Sequence, residues 1–399
     1  MLKIKHGCAA LALALLAVAV GFAAPAQADT IRTGQQWVLS MLDVAPAWQV
    51  THGAGVTVAV VDSGVDGHIS DLTGQVTQGP DFTGVATRPS SQDWGVHGTW
   101  MASLIAGHGH DGGTSGVIGI APDARILSVR VIPDRGDPAY SAYEHEQESR
   151  IQGSLADGIN YAVASGAQVI SMSIGYSTAS TLVRQALLNA YAHGVVVVAS
   201  AGNSGSSVGT YHDGQAPESF PADYPGVISV GAVNSSGSVA GFSSDNLSVQ
   251  VAAPGVSVPA QGRDGQYWYV SGTSPACALV AGVAALIKSR YPHLSPHLVA
   301  QALTSTTTGR PASGYDSQVG FGIVDAAAAL TKAGQLAGAV QPKPATVRDD
   351  ANFGGGPAAV AAAPVRPRNR GELIVFAVLA LTSLVLAGAA ATRLAVLRR

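Results

Sequence analysis

The sequence predicts an α/β domain in which a mainly parallel sheet carries helices on both faces. Five short apolar runs rich in β-branched residues are typical of strands buried on both faces. They cover residues 56–61, 126–132, 168–174, 195–199 and 227–231. Helical patterns lie between several of them, over residues 154–165 and 180–193. Strands that alternate with helices of this length form parallel sheets.

The amino-terminal segment has the pattern of a secretory signal peptide. Lys3 and Lys5 precede an apolar run over residues 8–24, which ends in Pro-Ala-Gln-Ala. A basic start, an apolar core and small residues at the end predict cleavage, here before Asp29. The alternative is an uncleaved membrane anchor.

The carboxyl-terminal segment has the pattern of a membrane span. Residues 373–392 are uncharged and mostly apolar, long enough to cross a hydrocarbon layer of about 30 Å. A buried helix of the globular domain is the alternative. The predicted organisation is a signal peptide (1–28), a globular domain (29–337), a Pro/Gly/Ala-rich linker (338–371), one transmembrane helix (372–393) and a cytoplasmic tail (394–399). The signal peptide and the terminal arginines place the globular domain outside the cell membrane.

Composition excludes several classes of protein. Apolar residues make up 47% of the chain and charged residues 12%, which is unlike a disordered chain. Residues 29–365 contain more acidic than basic side chains, so binding to nucleic acid is not expected. Cys8 would leave with the signal peptide, and Cys277 would then remain without a partner for an internal disulfide.

An aspartate at the end of the first predicted strand and a histidine at a predicted helix start are residue types that can act in catalysis. Sites in parallel sheets form beyond the carboxyl ends of the strands. Asp62 ends the first strand, and an aspartate there can orient a histidine ring. His97 begins an apolar helical stretch and has the chemistry of a general base. Taken singly, a plain Asp-Ser-Gly turn and a structural histidine are common alternatives.

Two more such residues come later in the chain. Asn203 follows the fourth predicted strand, where an asparagine amide can donate a hydrogen bond to an oxyanion. Ser274 begins a long apolar helix, where a serine is either a helix cap or a nucleophile. Taken singly, a turn asparagine and a capping serine are the more common readings.

Along the chain the four residues come in the order Asp, His, Asn, Ser. The three of them that could form a triad, Asp, His and Ser, are in the same order as in subtilisin. The motifs Val-Asp62-Ser-Gly, His97-Gly-Thr, Ala-Gly-Asn203 and Gly-Thr-Ser274-x-Ala resemble those of the subtilisin family of serine peptidases, over about residues 37–333. The resemblance implies a subtilisin-like fold. It also implies Asp62 as orienter of the histidine, His97 as general base and acid, Ser274 as nucleophile and Asn203 as oxyanion donor. No cofactor and no metal ligand are predicted from the sequence.

The same resemblance implies a substrate-binding segment. Ser173, Ile174 and Gly175 match the family segment that forms one wall of the peptide groove. Tyr176 follows where a small residue is common, so the side-chain preference of the groove is open. The sequence also departs from the family by Ala278 in place of a proline and by Pro275, and neither change removes a reacting group.

The layout resembles one branch of that family. A signal peptide, a short lead of residues 29–36, an acidic body and a carboxyl-terminal anchor resemble the mycosins, membrane-bound subtilases of actinobacterial type VII secretion. The resemblance implies a protein or peptide substrate and association with a type VII secretion membrane complex. The alternatives are a scaffold whose peptidase activity is dispensable and a general cell-surface subtilase. Eight residues cannot form a separate folded pro-domain.

The sequence leaves the roles of two further polar clusters undecided. His108-Gly-His110-Asp111 has metal-ligand residue types, but a glycine-rich surface loop is favoured because no further ligand pattern accompanies it. Residues 134–150 form an acidic insertion, for which a solvated loop is the expected structure and a groove wall or calcium site the alternatives.

Overall fold

The computed structural model describes residues 27–144, 148–205 and 216–338, together with Val378. Apart from Gln27, Ala28, Gly338 and Val378, the predicted signal peptide, linker, transmembrane helix and tail lie outside these residues. In the described part of the chain, no helix combines the length and the apolar character needed to span a membrane. The carboxyl-terminal membrane helix therefore stays a prediction.

The centre of the domain is a sheet of seven strands. These strands are β1 (Thr57–Asp62), β2 (Val76–Asp81), β5 (Arg125–Arg130), β6 (Val169–Met172), β7 (Val196–Ser200), β8 (Ile228–Val233) and β9 (Val249–Pro254). They lie in the order β2-β5-β1-β6-β7-β8-β9, and each neighbouring pair is parallel, which confirms the mainly parallel sheet. Two antiparallel pairs stand apart from this sheet, β3 (His108–His110) with β4 (Ser115–Ile118) and β10 (Val258–Gln261) with β11 (Tyr267–Val270).

Helices cover both faces of the central sheet, as predicted. Alternate residues of β1 belong to different cores, since Val58 and Val60 pack into one and Ala59 and Val61 into the other. The described α-helices are α1 (Gln27–Met41), α2 (Val44–Trp48), α3 (Val96–Ala106), α4 (Tyr140–Glu144), α5 (Glu148–Ala164), α6 (Thr181–Ala192), α7 (Thr273–Arg290), α8 (Pro296–Ser305) and α9 (Ala326–Gly338). The first core includes residues of α1, α2, α3, α7, α8 and α9, and the second includes residues of α5 and α6.

Helix α7 is the central helix of the first core. From Thr273 to Lys288 its residues are buried, except for the half-buried Ser274. Near its far end, the Lys288 ammonium group donates to the carbonyls of Pro292 (2.7 Å), Leu294 (3.1 Å) and Gly194 (3.3 Å). Burial lowers the pKa of Lys288. These bonds fix the carboxyl-terminal end of α7, while its amino-terminal end carries Ser274.

Helix α1 includes the whole of the short lead, residues 29–36, that precedes the family-like part of the sequence. The Arg32 Nε donates to the carbonyl of Gly116 at 2.8 Å. The buried Gln35 exchanges two bonds with the backbone of Ile118, at 2.6 and 3.0 Å. Ile31 is buried in the first core. Residues 31–35 are therefore an integral part of the folded domain.

Candidate active site

Asp62 and His97 lie in direct contact. Asp62 is the last residue of β1, and its side chain is 2% exposed. Its Oδ1 lies 2.8 Å from His97 Nδ1 and also accepts the N–H of Ser63 at 2.7 Å. His97 is the second residue of α3, and its side chain is 32% exposed. The aspartate thus holds one ring nitrogen, which leaves Nε2 as the nitrogen able to exchange a proton with another group.

The electrostatics around His97 favour the protonated ring. Burial by itself lowers the pKa of His97, but the negative charge and the hydrogen bond of Asp62 act against it, and the net result is a raised pKa. Asp134 adds to the rise and Arg135 opposes it. A raised pKa makes the imidazole a better proton acceptor, as general base catalysis requires.

Close packing fixes the start of α3 against the end of β1. Gly98 follows His97, and a Cβ atom at this position would collide with the carbonyl oxygen of Gly64. The Gly98 N–H donates to Ser63 Oγ at 3.1 Å. The absence of a side chain at Gly98 therefore lets the helix approach closely enough for His97 to reach Asp62.

Ser274 lies in the first turn of α7, at the carboxyl edge of the sheet. The preceding Gly272 has a φ of 150° and begins the helix without a side-chain cap. Ser173, which directly follows β6, donates from Oγ to the carbonyl of Ser274 at 3.3 Å. Because β6 lies beside β1 and their carboxyl ends meet at the same edge, the starts of α3 and α7 lie at that edge together.

The side-chain amide of Asn203 is oriented by the residue before Ser274. Asn203 comes after β7 and is exposed. Its Oδ1 accepts the Thr273 N–H at 2.9 Å and the Thr273 hydroxyl at 3.0 Å. The Thr273 Oγ1 in turn accepts the N–H of Gly202 at 3.2 Å. With its oxygen occupied, Asn203 has an Nδ2 group that makes no hydrogen bond to the described residues, and its N–H donors are available.

The predicted groove wall is a short extended segment after β6. Ile174 is 7% exposed, whereas Gly175 is exposed. A Cβ atom at Gly175 would collide with Ser219 Oγ. Tyr176 exchanges two backbone bonds with Phe220, at 2.7 and 2.8 Å. The segment is thereby fixed along residues 219–220, close to the carbonyl of Ser274 through Ser173.

Sequence reasoning missed Asp134, whose side chain contacts the start of α3. The acidic insertion of residues 134–150 was expected to be a solvated loop, but Asp134 is 7% exposed. Its Oδ1 accepts the His97 N–H and its Oδ2 accepts the Val96 N–H, each at 2.8 Å. Charge pattern alone gives no sign of such bonds, because it cannot show which backbone N–H groups lack partners. The position of Asp134 four residues after β5 was the available signal.

The same insertion also contributes a buried ion pair behind the site. Arg130 is 1% exposed, and its Nη2 donates to Asp137 Oδ2 at 3.0 Å. Its Nη1 donates to Asp81 Oδ2 at 2.5 Å, and its Nε donates to the carbonyl of Ser63 at 3.1 Å. The insertion therefore begins as a buried structural element, and the solvated-loop expectation is wrong for Asp134 and Asp137.

The His108–Asp111 cluster lies on the β3–β4 pair. The His110 Nδ1 lies 2.7 Å from the buried carboxylate of Asp71, while His108 bonds to backbone carbonyls of Gly109 and Thr73. Among the described residues, no group of three His, Cys, Asp or Glu side chains has an arrangement that could hold a metal ion. The cluster is ordered by protein hydrogen bonds.

Comparison with known sequences gives the family. Residues 53–322 match the Subtilase family. Subtilisin DY of Bacillus licheniformis is 39% identical over 277 residues, which is 69% of this chain and 91% of that protein. Subtilisin E of Bacillus subtilis (strain 168) is 40% identical over 256 residues, which is 64% of this chain and 61% of that protein.

Comparison with solved structures gives mycosins among the neighbours. MycP1 from Mycobacterium smegmatis matches with a TM-score of 0.60 and 32% identity, over 74% of this chain and 84% of that one. MycP3 protease from the type VII (ESX-3) secretion system matches with a TM-score of 0.61 and 30% identity, over 74% of this chain and 87% of that one. The chain belongs to the subtilase family of serine endopeptidases.

Proposed function

We propose that this protein is a membrane-anchored, extracytoplasmic serine endopeptidase in which Asp62, His97 and Ser274 form the catalytic triad. The observation that carries the proposal is the 2.8 Å contact between Asp62 Oδ1 and His97 Nδ1. It fixes the ring with Nε2 directed away from the aspartate. The start of α7, with Ser274, lies at the same edge of the sheet.

The reaction follows from these positions. Ser274 Oγ attacks the carbonyl carbon of the substrate peptide bond, and His97 Nε2 takes the hydroxyl proton. Asp62 stabilises the imidazolium ion through the bond to Nδ1 and keeps the tautomer that leaves Nε2 free. His97 then gives the proton to the leaving amine, which leaves the acyl group bound to Ser274. A water molecule next attacks this acyl group while His97 Nε2 takes a proton from the water. His97 finally gives that proton to Ser274 Oγ, and the acid product is released.

Two donors stabilise the oxyanion of the tetrahedral intermediate. One is the Nδ2 group of Asn203, whose orientation Thr273 fixes. The other is the backbone N–H of Ser274 in the first turn of α7, where the partial positive charge of a helix start adds to the effect. Ser173, Ile174 and Gly175 form the neighbouring wall, and the exposed Gly175 leaves room for an extended substrate backbone.

The direct test is labelling by a serine-directed fluorophosphonate probe. The wild-type chain should be labelled and Ser274→Ala should not. Ser271 offers a matched control, because it is an exposed serine three residues earlier on the same segment. Ser271→Ala should be labelled like the wild type, and equal labelling of Ser274→Ala would overturn the assignment.

The membrane part of the proposal rests on the apolar segment 373–392 and on the likeness to mycosins. Since α9 extends to Gly338, a chain ended after Gly338 keeps all the described helices of the domain. It should stay in the supernatant after ultracentrifugation, whereas the full chain should sediment with membranes after a high-salt wash. A shortened chain that still sediments with washed membranes would place the anchor elsewhere.

A second candidate role is that of a scaffold in a secretion complex. One solved neighbour is described as "an essential component of the type VII (ESX-1) secretion system", which favours a role beyond cleavage. Comparing secretion in a Ser274→Ala strain with that in a deletion strain separates the two roles. Secretion kept in the first strain and lost in the second supports the scaffold. Loss in both supports the peptidase as the essential activity.

A further inference from the structure

The start of α3 lacks a cap from its own sequence. Gly95 stands at the N-cap position with a φ of 71° and has no side chain to accept a bond. The first N–H groups of a helix have no partners within the helix, and a side-chain oxygen normally satisfies them. His97 lies in this first turn, so any looseness of the turn moves the imidazole.

Side chains from outside the helix supply the missing acceptors. The two oxygens of Asp134 accept the N–H groups of Val96 and His97, each at 2.8 Å. Ser63 Oγ accepts the next one, from Gly98, at 3.1 Å. Three successive N–H groups are thus held by residues that follow β5 and β1, and these strands are parallel neighbours with Asp62 paired to Arg130. The turn is fixed to the same two strand ends that position Asp62.

The carboxylate also acts on His97 by its charge. Within the part of the chain that the structure describes, the charged groups acting on His97 are Asp62 at the end of β1 and Asp134 and Arg135 after β5. Both carboxylates favour the imidazolium ion, and Arg135 opposes it. Asp134 is itself nearly buried, and burial raises its own pKa above the ordinary value, while the bonds from His97 and Val96 act against that rise.

Resting on the proposed function, we propose that Asp134 is a positioning residue for the reaction. Its carboxylate holds the first turn of α3 so that the imidazole of His97 stays in line with Asp62. Its charge stabilises the imidazolium ion that forms when His97 takes the proton of Ser274. Asp134 touches neither the substrate nor the reacting atoms, and it acts only through His97.

The first test measures how the charge of Asp134 affects the pKa of His97, in a variant that lacks the proposed nucleophile. In a Ser274→Ala background, the His97 ring of the full chain in detergent is titrated by NMR through the low-field proton of its bond to Asp62. Adding Asp134→Asn should shift this titration to lower pH, because one negative charge is lost. Adding Asp71→Asn is the matched control, since it removes another buried carboxylate that accepts a backbone N–H, from Val117 at 2.7 Å. Asp71→Asn should leave the titration in place.

The second test reads positioning in the active chain. With turnover normalised to the fraction labelled by the fluorophosphonate probe, Asp134→Asn should lower kcat by about 10- to 100-fold, the range expected for a misplaced catalytic group. The KM should change little, and the acid limb of kcat/KM should move to lower pH. A purely structural role would lower the melting temperature without moving the acid limb.

The outcomes separate this inference from the proposed function. An unchanged His97 titration and an unchanged kcat in folded Asp134→Asn would overturn the inference while leaving the triad intact. Absence of Ser274-dependent labelling would instead overturn the proposed function, and the NMR result would still report on Asp134 and His97. Asp134→Ser is a second neutral variant that retains a hydroxyl acceptor. If neither variant folds while Asp71→Asn folds, Asp134 belongs to the stability of the domain and the inference fails.

Discussion

Asn203 Oδ1 accepts the backbone N–H of Thr273 at 2.9 Å, so the residue beside the proposed nucleophile also orients the proposed oxyanion donor. The Thr273 hydroxyl adds a second bond to the same oxygen at 3.0 Å. The amide could turn over only by breaking both bonds and by placing its NH₂ group against an N–H donor. Its Nδ2 group is therefore held in place before any substrate binds, which is the preorganisation that oxyanion stabilisation needs.

Removing the Asn203 amide should lower the rate of the chemical step. Asn203→Leu should reduce kcat about 10²–10³-fold with little change in KM, the size of effect known for an oxyanion donor in subtilisin itself. Thr273→Val keeps the backbone bond but loses the hydroxyl bond, and it should give a smaller loss. Steady-state kinetics on a peptide substrate measure both. A Leu variant with wild-type kcat would remove Asn203 from the site.

The pH dependence of activity should follow the raised pKa of His97. The ring must be neutral to accept a proton, so kcat/KM is full above the pKa of His97 and falls as the pH drops through it. Because Asp62 raises this pKa against the effect of burial, the acid limb should lie above the ordinary imidazole value of 6.5. An acid limb below that value would contradict the assignment of His97 as the base.

Asp62→Asn should change the dependence of kcat/KM on pH. It removes the charge that raises the pKa of His97, so the acid limb moves to lower pH. It also permits the wrong ring tautomer, and kcat should fall by about 10⁴-fold. Asp111→Asn is the control, because that aspartate is 72% exposed, and its profile should match the wild type.

Stability should depend on the Arg130 ion pair behind the site. Asp137→Ala removes one partner of a guanidinium that is 1% exposed, and breaking a buried pair in this way costs about 3–5 kcal/mol of unfolding free energy. Asp123→Ala replaces an exposed aspartate and should stay within about 0.5 kcal/mol. Urea unfolding followed by circular dichroism compares the two. Equal midpoints for the variants would show that the pair adds nothing.

Replacing each of two adjacent glutamines of α1 should have very different effects on the stability of the domain. Gln35 is fully buried and bonded twice to Ile118, whereas Gln36 is exposed. Gln35→Ala removes both bonds to the half-buried Ile118, and each bond contributes about 0.5–1.5 kcal/mol. Gln36→Ala should be close to neutral. Thermal melts of the two variants measure the difference, and a neutral Gln35→Ala would mean that the two bonds to Ile118 do not stabilise the domain.

Sequence reasoning located the five middle strands of the central sheet but neither of its edge strands, β2 and β9. The runs that became β1, β5, β6, β7 and β8 are continuous and β-branched, which is the pattern of a central parallel strand. It did not locate β2, because the sequence Val-Thr-Gln-Gly-Pro-Asp of this edge strand has polar and turn-forming residues that edges tolerate. Hydrophobic pattern therefore predicts the middle of such a sheet better than its margins.

For the candidate site, the resemblance of the four motifs to those of the subtilisin family predicted that Asp62 orients His97. The motifs did not predict the role of Asp134, whose partners are backbone N–H groups 37 and 38 residues away. A backbone group has no signature in a sequence, and whether it lacks a partner depends on how the helix begins in three dimensions. Side chains that bond to backbone across long separations are the part of a site that a single sequence conceals.

The burial of α7 on all sides has a consequence for the order in which the protein gains its activity. Most of the stability of a helix in a protein comes from packing against its neighbours rather than from intrinsic helix propensity. The neighbours of α7 are strands β1, β6, β7, β8 and β9 and helices α3 and α9, which come from distant parts of the chain. The helix start at Ser274 therefore forms only when the surrounding layers have assembled. A nascent chain in which these layers have not yet assembled therefore lacks the helix start that the proposed nucleophile needs.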